Sequence, residues 1–415
     1  MSPGPRAGLA LAVLAMVALV LPLALVGLAV IALVTATAVD TLAARRPPSV
    51  RRDVPTVLAR GVPVPLTVEV GAEAAGRLRV RQPVPPDLRL EPSEAEGRLE
   101  AVLTPLRRGR HVLPPPAVRA NGPLGLGRWD HGAGPETEVL VYPDLPAARR
   151  LALAVRQGRF RDPGRLSRGP LGLGTDFQLV RDYVPDDDVR QVNWRATARM
   201  QRPMSNQFRV DQDRDVVCVV DSGRLMAAPV GDRTRLDAAL DAVTAVALVA
   251  DEVGDRCGVI AFDAAVLRAV SPRRSGGTSV VRALFDLEPS AVDSDYELAF
   301  RRVGRSKRAF VLVLTDLLDE AAARPLVEAV PVVARRHSVA VASVTDPDLA
   351  RLVTQVPATA LDVYAASVAV DVLEARAQAA GQLTRAGAQV LEAPPGLLPE
   401  VCVGAYLRMK SLARL

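Results

Sequence analysis

The 415-residue chain exceeds what one hydrophobic core ordinarily supports and points to two or three domains, and with 49% hydrophobic but only 3% aromatic residues those cores are expected to be small aliphatics. The net charge of +6 rests on arginine, Lys307 and Lys410 being the only lysines among 52 basic residues; no basic run is interleaved with aromatics, which argues against nucleic acid as a partner. Cys218, Cys257 and Cys402 are scattered in apolar text, the pattern of reduced core thiols in a cytosolic setting and not of a disulfide scaffold.

From Leu9 to Val39 the chain carries no charge. As one helix this stretch would measure roughly 46 Å, against a hydrocarbon core of about 30 Å. Residues 1–44 are therefore expected to form a transmembrane helical hairpin broken around Leu21, Pro22 and Leu23, with two spans of roughly 15 residues. A cleaved signal peptide is the competing reading; the apolar region is about twice the usual length for one, and only Arg6 precedes it. The cluster Arg45, Arg46, Arg51 and Arg52 should stay on the cytoplasmic side. That places the chain in the cell (inner, cytoplasmic) membrane, its main domains facing the cytoplasm.

Residues 50–145 alternate apolar and polar in short runs, among them Pro65 to Val70, Arg77 to Arg81, Gly97 to Thr104 and Glu138 to Tyr142, which predicts a small β-sandwich. His111 and His131 are isolated in the sequence and read as surface or turn residues. A connector occupies 146–212, rich at first in Pro, Gly and Arg. Within it, Asp182 to Arg199 packs acids, arginines and a tryptophan together. Asp186, Asp187 and Asp188 would precede a helix starting near Val189, where negative charge meets unpaired amides. Val189, Val192 and Ala196 would give that helix an apolar side, with Trp194 packed beside it on the neighbouring domain. Exposed ion pairs contribute only about 0 to 1 kcal/mol, so such charge density calls for more than stability. Two uses stay open, a brace onto the following domain and a docking surface.

Beyond residue 213 strands and helices alternate, the rhythm of a doubly wound, mainly parallel α/β domain over 213–415. Asp215 to Asp221, Cys257 to Phe262, Ala309 to Asp316 and His337 to Asp346 read as strands. Thr234 and Asp237 form a capping box ahead of the stripe Leu236, Leu240, Val243 and Ala247, with Gly254 as the stop. Pro325 and Pro331 should divide or kink the helix after Asp316. Asp221, Asp316 and Asp346 each end an apolar strand, and Thr278 lies in the glycine-bounded "SGGTSV". Such oxygen ligands suit Mg²⁺ or Mn²⁺; the alternative is that the acids are helix caps.

The text "FQLVRDYVPDDDVRQVNWRATARM" resembles the hallmark segment of the bacterial domain-of-unknown-function family number fifty-eight, whose members carry a von Willebrand factor A-like domain. Arg181, Tyr183, Pro185, Asp187, Asp188, Arg190, Trp194 and Arg199 stand at matching places, while Asp186 replaces a glycine and Asn193 an aspartate. The resemblance extends to "RRGRHVLPPPAVRANGPLGLGRW", to "VVDSGRLM" and to the terminal "YLRMK". It implies paired N-terminal membrane helices and an adhesion-type metal site, Asp-x-Ser-x-Ser with a distant Thr and Asp. Here Asp221 matches, Gly223 and Leu225 occupy the serine places, and Ser222 is out of register. The implied set is thus Asp221, Thr278 and Asp316 for a Mg²⁺ or Mn²⁺ ion at a degenerate site. Arg181, Tyr183, Asp187, Asp188, Arg190, Trp194, Arg195 and Arg199 form the candidate binding set. The resemblance further implies a MoxR-type AAA+ ATPase as partner, supplying the energy for remodelling a protein client.

No histidine stands near a nucleophile, "RSGGTS" lacks the lysine of a nucleotide loop, and hydrolase motifs are absent. The expected function is a non-catalytic, membrane-anchored adaptor. The rivals are an extracytoplasmic adhesion module and a metal-assisted hydrolase.

Overall fold

The structure, a computed structural model, describes residues 2–71, 78–163, 176–184, 192–209, 214–303, 308–317 and 320–411. It divides into two units, Met1–Tyr142 and Pro143–Leu415.

The first unit opens with α1 (Pro5–Val17) and α2 (Leu23–Ala43), which pack on each other. Pro22 separates them as the sequence predicts, since it lacks an N–H and disfavours helix at Leu21. The halves are unequal, however. Only α2, apolar over Ala24–Ala43, is long enough to cross a membrane, at about 31 Å for its 21 residues. The 13 residues of α1 reach only about 20 Å.

Both open ends of this helix pair meet one β turn. Ser2–Pro3 pairs with the strand Gly127–Gly132, and Arg6 donates to the Leu124 carbonyl. Near the end of α2, the buried Asp40 carboxylate accepts the backbone N–H groups of Leu124, Leu126 and Gly127 at 2.7–2.8 Å. A Cβ at Gly127 would collide with Thr41, so glycine is what admits the helix there. His131, expected at a surface or turn, is buried: its Nε2 lies 2.9 Å from the Ala44 carbonyl that ends α2. His111 is bonded to the Arg107 carbonyl. The β region beyond is mostly antiparallel. Alternation drives it: Leu66 and Val68 of Val64–Val70, and Leu99, Ala101 and Leu103 of Leu99–Pro105, all point into one core with Val118, Val139 and Val141.

The second unit begins with a helix where a connector was expected. In α3 (Leu145–Arg156), capped by Asp144, Ala148 and Ala152 are buried against α5. A strand hairpin, Asp176–Asp182 with Met204–Arg209, carries α4 (Trp194–Met200) between its arms. A six-stranded sheet follows: β1 (Asp215–Asp221), β2 (Arg256–Phe262), β3 (Val266–Arg274), β4 (Ala309–Leu314), β5 (Ser338–Val344) and β6 (Gln389–Ala393). The order is β3-β2-β1-β4-β5-β6, parallel except for β3. The order reverses direction at β1, where the carboxyl ends of neighbouring strands open a crevice.

One face is covered by α3, α5 (Arg235–Glu252), α6 (Gly277–Leu284) and α11 (Leu398–Ser411). The other carries α7 (Tyr296–Val303), α8 (Glu320–Ala334) and the carboxyl-terminal half of α10 (Ala360–Arg385), with α9 (Pro347–Thr354) packed on α10. The capping box of Thr234 and Asp237 starts α5, and Gly254 follows it at φ 79°. Enclosed by the sheet, α3 and α11, α5 is buried nearly all round, which is why alanine and valine dominate it. Pro325 and Pro331 do not divide α8. Each prolyl nitrogen forgoes one helical bond, but Leu326, Val330 and Val333 anchor the helix to the sheet. At the amino edge the fully buried Asp255 accepts from Lys410 Nζ at 2.7 Å and from Tyr406, and Arg408 pairs with Asp162. The terminal "YLRMK" therefore fastens α11.

Candidate functional site at the carboxyl edge

Asp221 and the segment after β4 lie side by side at the carboxyl edge, because β1 and β4 are paired in register up to Val220 and Leu314. The Asp221 carboxylate is buried and has four donors. Oδ1 accepts from the Gly223 N–H at 2.8 Å and the Ser294 hydroxyl; Oδ2 accepts from Tyr296 at 2.8 Å and Thr315 at 2.6 Å. Burial, reinforced by the negative charge of Asp221, pushes the Tyr296 phenol well above its ordinary pKa, so it stays a donor. Ser222 turns away, donating to the Phe262 carbonyl at 2.9 Å, as its register predicts. A Cβ at Gly223 would strike the Ser294 hydroxyl and come within 2.9 Å of the Val292 carbonyl. Ser294 thus fills the space that a serine at position 223 would need.

Asp316 faces a different environment. Its Oδ1 accepts from Arg235 Nη1 at 2.8 Å, Arg376 Nη1 at 3.1 Å and Ser343 at 3.3 Å. Both guanidiniums are buried and both also donate to the Val344 carbonyl, at 3.0 and 2.8 Å. Burial lowers the Arg235 pKa, Asp316 opposes that shift, and the like charge of Arg376 adds to it. Asp346 is a helix cap: its carboxylate accepts the Asp348 N–H at the start of α9.

Thr278 is not brought to this edge. It is exposed in the first turn of α6, next to Gly277, whose N–H meets the Asp251 carboxylate at the end of α5. The antiparallel β3 is the reason. Arg274 pairs with Arg256, so the chain has crossed back to the amino edge before α6 begins.

The residues present do not fit the divalent ion implied for this crevice. Asp221 spends both oxygens on internal donors, Gly223 and Leu225 offer no hydroxyl, Thr278 is at the other edge, and two guanidiniums already compensate Asp316. Among the described residues no group of three or more His, Cys, Asp or Glu side chains converges for a metal.

In the hallmark segment, Asp187, Asp188 and Arg190 lie outside the described residues, with Pro185 and Asp186. Arg181 pairs in register with Ser205 and donates to the Asp182 carbonyl, and the Tyr183 N–H meets the Pro203 carbonyl. The described helix begins at Trp194, capped by Asn193, which accepts the Ala196 N–H at 3.0 Å; Val192, expected inside the helix, forms a bridge with Ser205, and Val189, the expected start, lies outside the described residues. Trp194 does not pack as expected and is 70% exposed, with Arg195 and Arg199 exposed beside it.

The residues that the sequence reading missed are Arg235, Arg376, Ser294, Tyr296 and Thr315. Arg376 had a signal, a charge in the stripe Val372, Arg376, Ala379 and Leu383 of α10, where a core residue belongs. Ser294 and Tyr296 had none, since a loop and a following helix deliver them.

Uncharacterized proteins of Mycobacterium bovis and Mycobacterium tuberculosis are 29% identical over 218 residues, 49% of this chain and 66% of theirs. Among solved structures, a superoxide reductase (neelaredoxin) of Ignicoccus hospitalis (12% identity, 22% of this chain and 79% of that chain, TM-score 0.15) carries no argument at that score. The same holds for a mutant of the SrpA adhesin of Streptococcus sanguinis, at 12% identity, 31% of this chain, 70% of that chain and TM-score 0.17. It is over residues 179–377, a span holding Asp221, Asp316, Arg235 and Arg376 alike, that the chain matches the family described as Protein of unknown function DUF58.

Proposed function

We propose that this chain is a non-catalytic, membrane-anchored adaptor whose von Willebrand factor A-like unit presents a rigid recognition surface to a MoxR-type AAA+ ATPase and, through it, to a protein client. The observation that carries the reading is the saturation of the crevice. A metal-assisted hydrolase needs an acid free to hold an ion or take a proton, and here Asp221 and Asp316 are committed to donors from the fold while Asp346 caps α9. The partner rests on the resemblance of the hallmark segment.

Anchoring is favoured over a cleaved signal by the contacts of Asp40. Cleavage that removed it would orphan three backbone N–H groups and uncover His131, so the N-terminal segment reads as part of the β-sandwich unit. The basic cluster after α2 supports a cytoplasmic side for the main domains.

The test is affinity purification of the full chain from detergent-solubilised membranes. An AAA+ ATPase should co-purify, and Asp221→Ala should abolish no phosphoester or peptide turnover. Recovery of no ATPase sinks the adaptor reading, and Asp221-dependent turnover sinks its non-catalytic part.

A further inference from the structure

The stripe that seats α10 does not end where the body of the unit ends. Arg376, Ala379 and Leu383 are buried, and at the same three- and four-residue spacing the stripe runs back through Val372, Val368, Ala365 and Leu361. There it is uncovered: Leu361 is 75% exposed, Tyr364 68%, and Val356 after α9 86%. This protruding end is also acidic. Between Asp346 and Ala375 stand five acids and one arginine, a net charge of −4 in a chain of +6. The hairpin helix α4 has the opposite character. From Trp194 to Arg202 there are three arginines and no acid, and Trp194, Arg195, Arg199 and Met200 are all exposed.

We infer that the occupant of the α9–α10 end is a second copy of this chain, docking its α4. An indole and a methionine would meet Leu361, Tyr364 and Val368, while Arg195 and Arg199 face Asp371 and Glu374. The contact is heterologous: each copy offers α4 and receives at α10, so copies add head to tail or close into a ring. The inference does not depend on an ATPase partner. Copies anchored in one membrane plane would meet at raised effective concentration.

The test places thiols beside the contact and leaves its side chains in place. Differently tagged full-length copies carrying Ala198→Cys and Ser367→Cys are co-expressed and treated in membranes with a bismaleimide. The native cysteines Cys218, Cys257 and Cys402 are fully buried, so the engineered thiols report. A mixed dimer is expected, and a chain carrying both substitutions should give a ladder of dimers and larger species. Arg195→Glu with Arg199→Glu should cut the mixed dimer at least about tenfold, and Asp371→Arg with Glu374→Arg should restore it. The inference is overturned by absence of the mixed dimer while both thiols still react, by links formed only within one chain, by links only to another protein, or by indifference to charge reversal.

Discussion

Asp221 and Asp316 end adjacent parts of one sheet, yet they are held by different chemistry. Around Asp221 the donors are neutral, three hydroxyls and a backbone N–H; around Asp316 they are two guanidiniums and a serine. Neutral donors solvate a buried carboxylate and leave its charge in place, whereas the arginines compensate it, at the risk of a larger penalty should the acid be lost. Equivalent positions in a sheet therefore do not imply one shared ion site. The partners decide, and these come from α5, α7 and α10 as well as from the strands.

The sharpest way to break the contrast is to remove each acid in turn. Asp316→Ala removes the carboxylate that both buried guanidiniums share, leaving Arg376 only the more distant Glu392 at 3.9 Å, and should lower stability by about 3–5 kcal/mol, read as the denaturant midpoint of the solubilised full chain. Asp221→Ala strands only neutral donors, three hydroxyls and the Gly223 N–H, and a loss of about 1–3 kcal/mol is expected. Equal losses would erase the distinction.

A second substitution restores one letter of the adhesion motif. Gly223→Ser puts a Cβ into the Ser294 hydroxyl and the Val292 carbonyl and should cost about 1–3 kcal/mol, partly recovered by adding Ser294→Ala. Millimolar Mg²⁺ should raise the melting temperature of neither form; a Mg²⁺-dependent rise in the wild type would reinstate the ion site.

The smallest effect concerns pH. Burial and then the neighbouring Arg336 hold His337 below its ordinary pKa, and its Nδ1 accepts the Ala309 N–H at 3.2 Å. The unfolded chain therefore takes up this proton at higher pH than the folded one. Stability is full above the ordinary histidine pKa of about 6.5 and falls as pH drops below it. Melting temperatures of wild type and His337→Asn should diverge above that pH and converge below it.

Much of this fold was legible because it follows from short-range pattern. The apolar runs of β1, β4 and β5, the Thr234 and Asp237 cap and the break at Pro22 are written in neighbouring residues. What was hidden depends on long-range delivery. Thr278 looked like a ligand in linear text, and the antiparallel β3 carried it to the far edge. The start of α4 shifted because Asn193 is itself a capping residue, while the acids before it lie outside the described segments. Trp194, read as a packing residue, is instead exposed on the hairpin helix.

The turn that grips Asp40 has a mechanical corollary. The Asp40 carboxylate, the Ala44 carbonyl and the Ser2–Pro3 strand fix the antiparallel β region to the helix ends at several points. A collar bolted this way leaves no slack tether. Were α2 to lie in a bilayer, the standoff of the β region from the headgroups would be set by the fold, and a load on it would reach the helix through three amide protons.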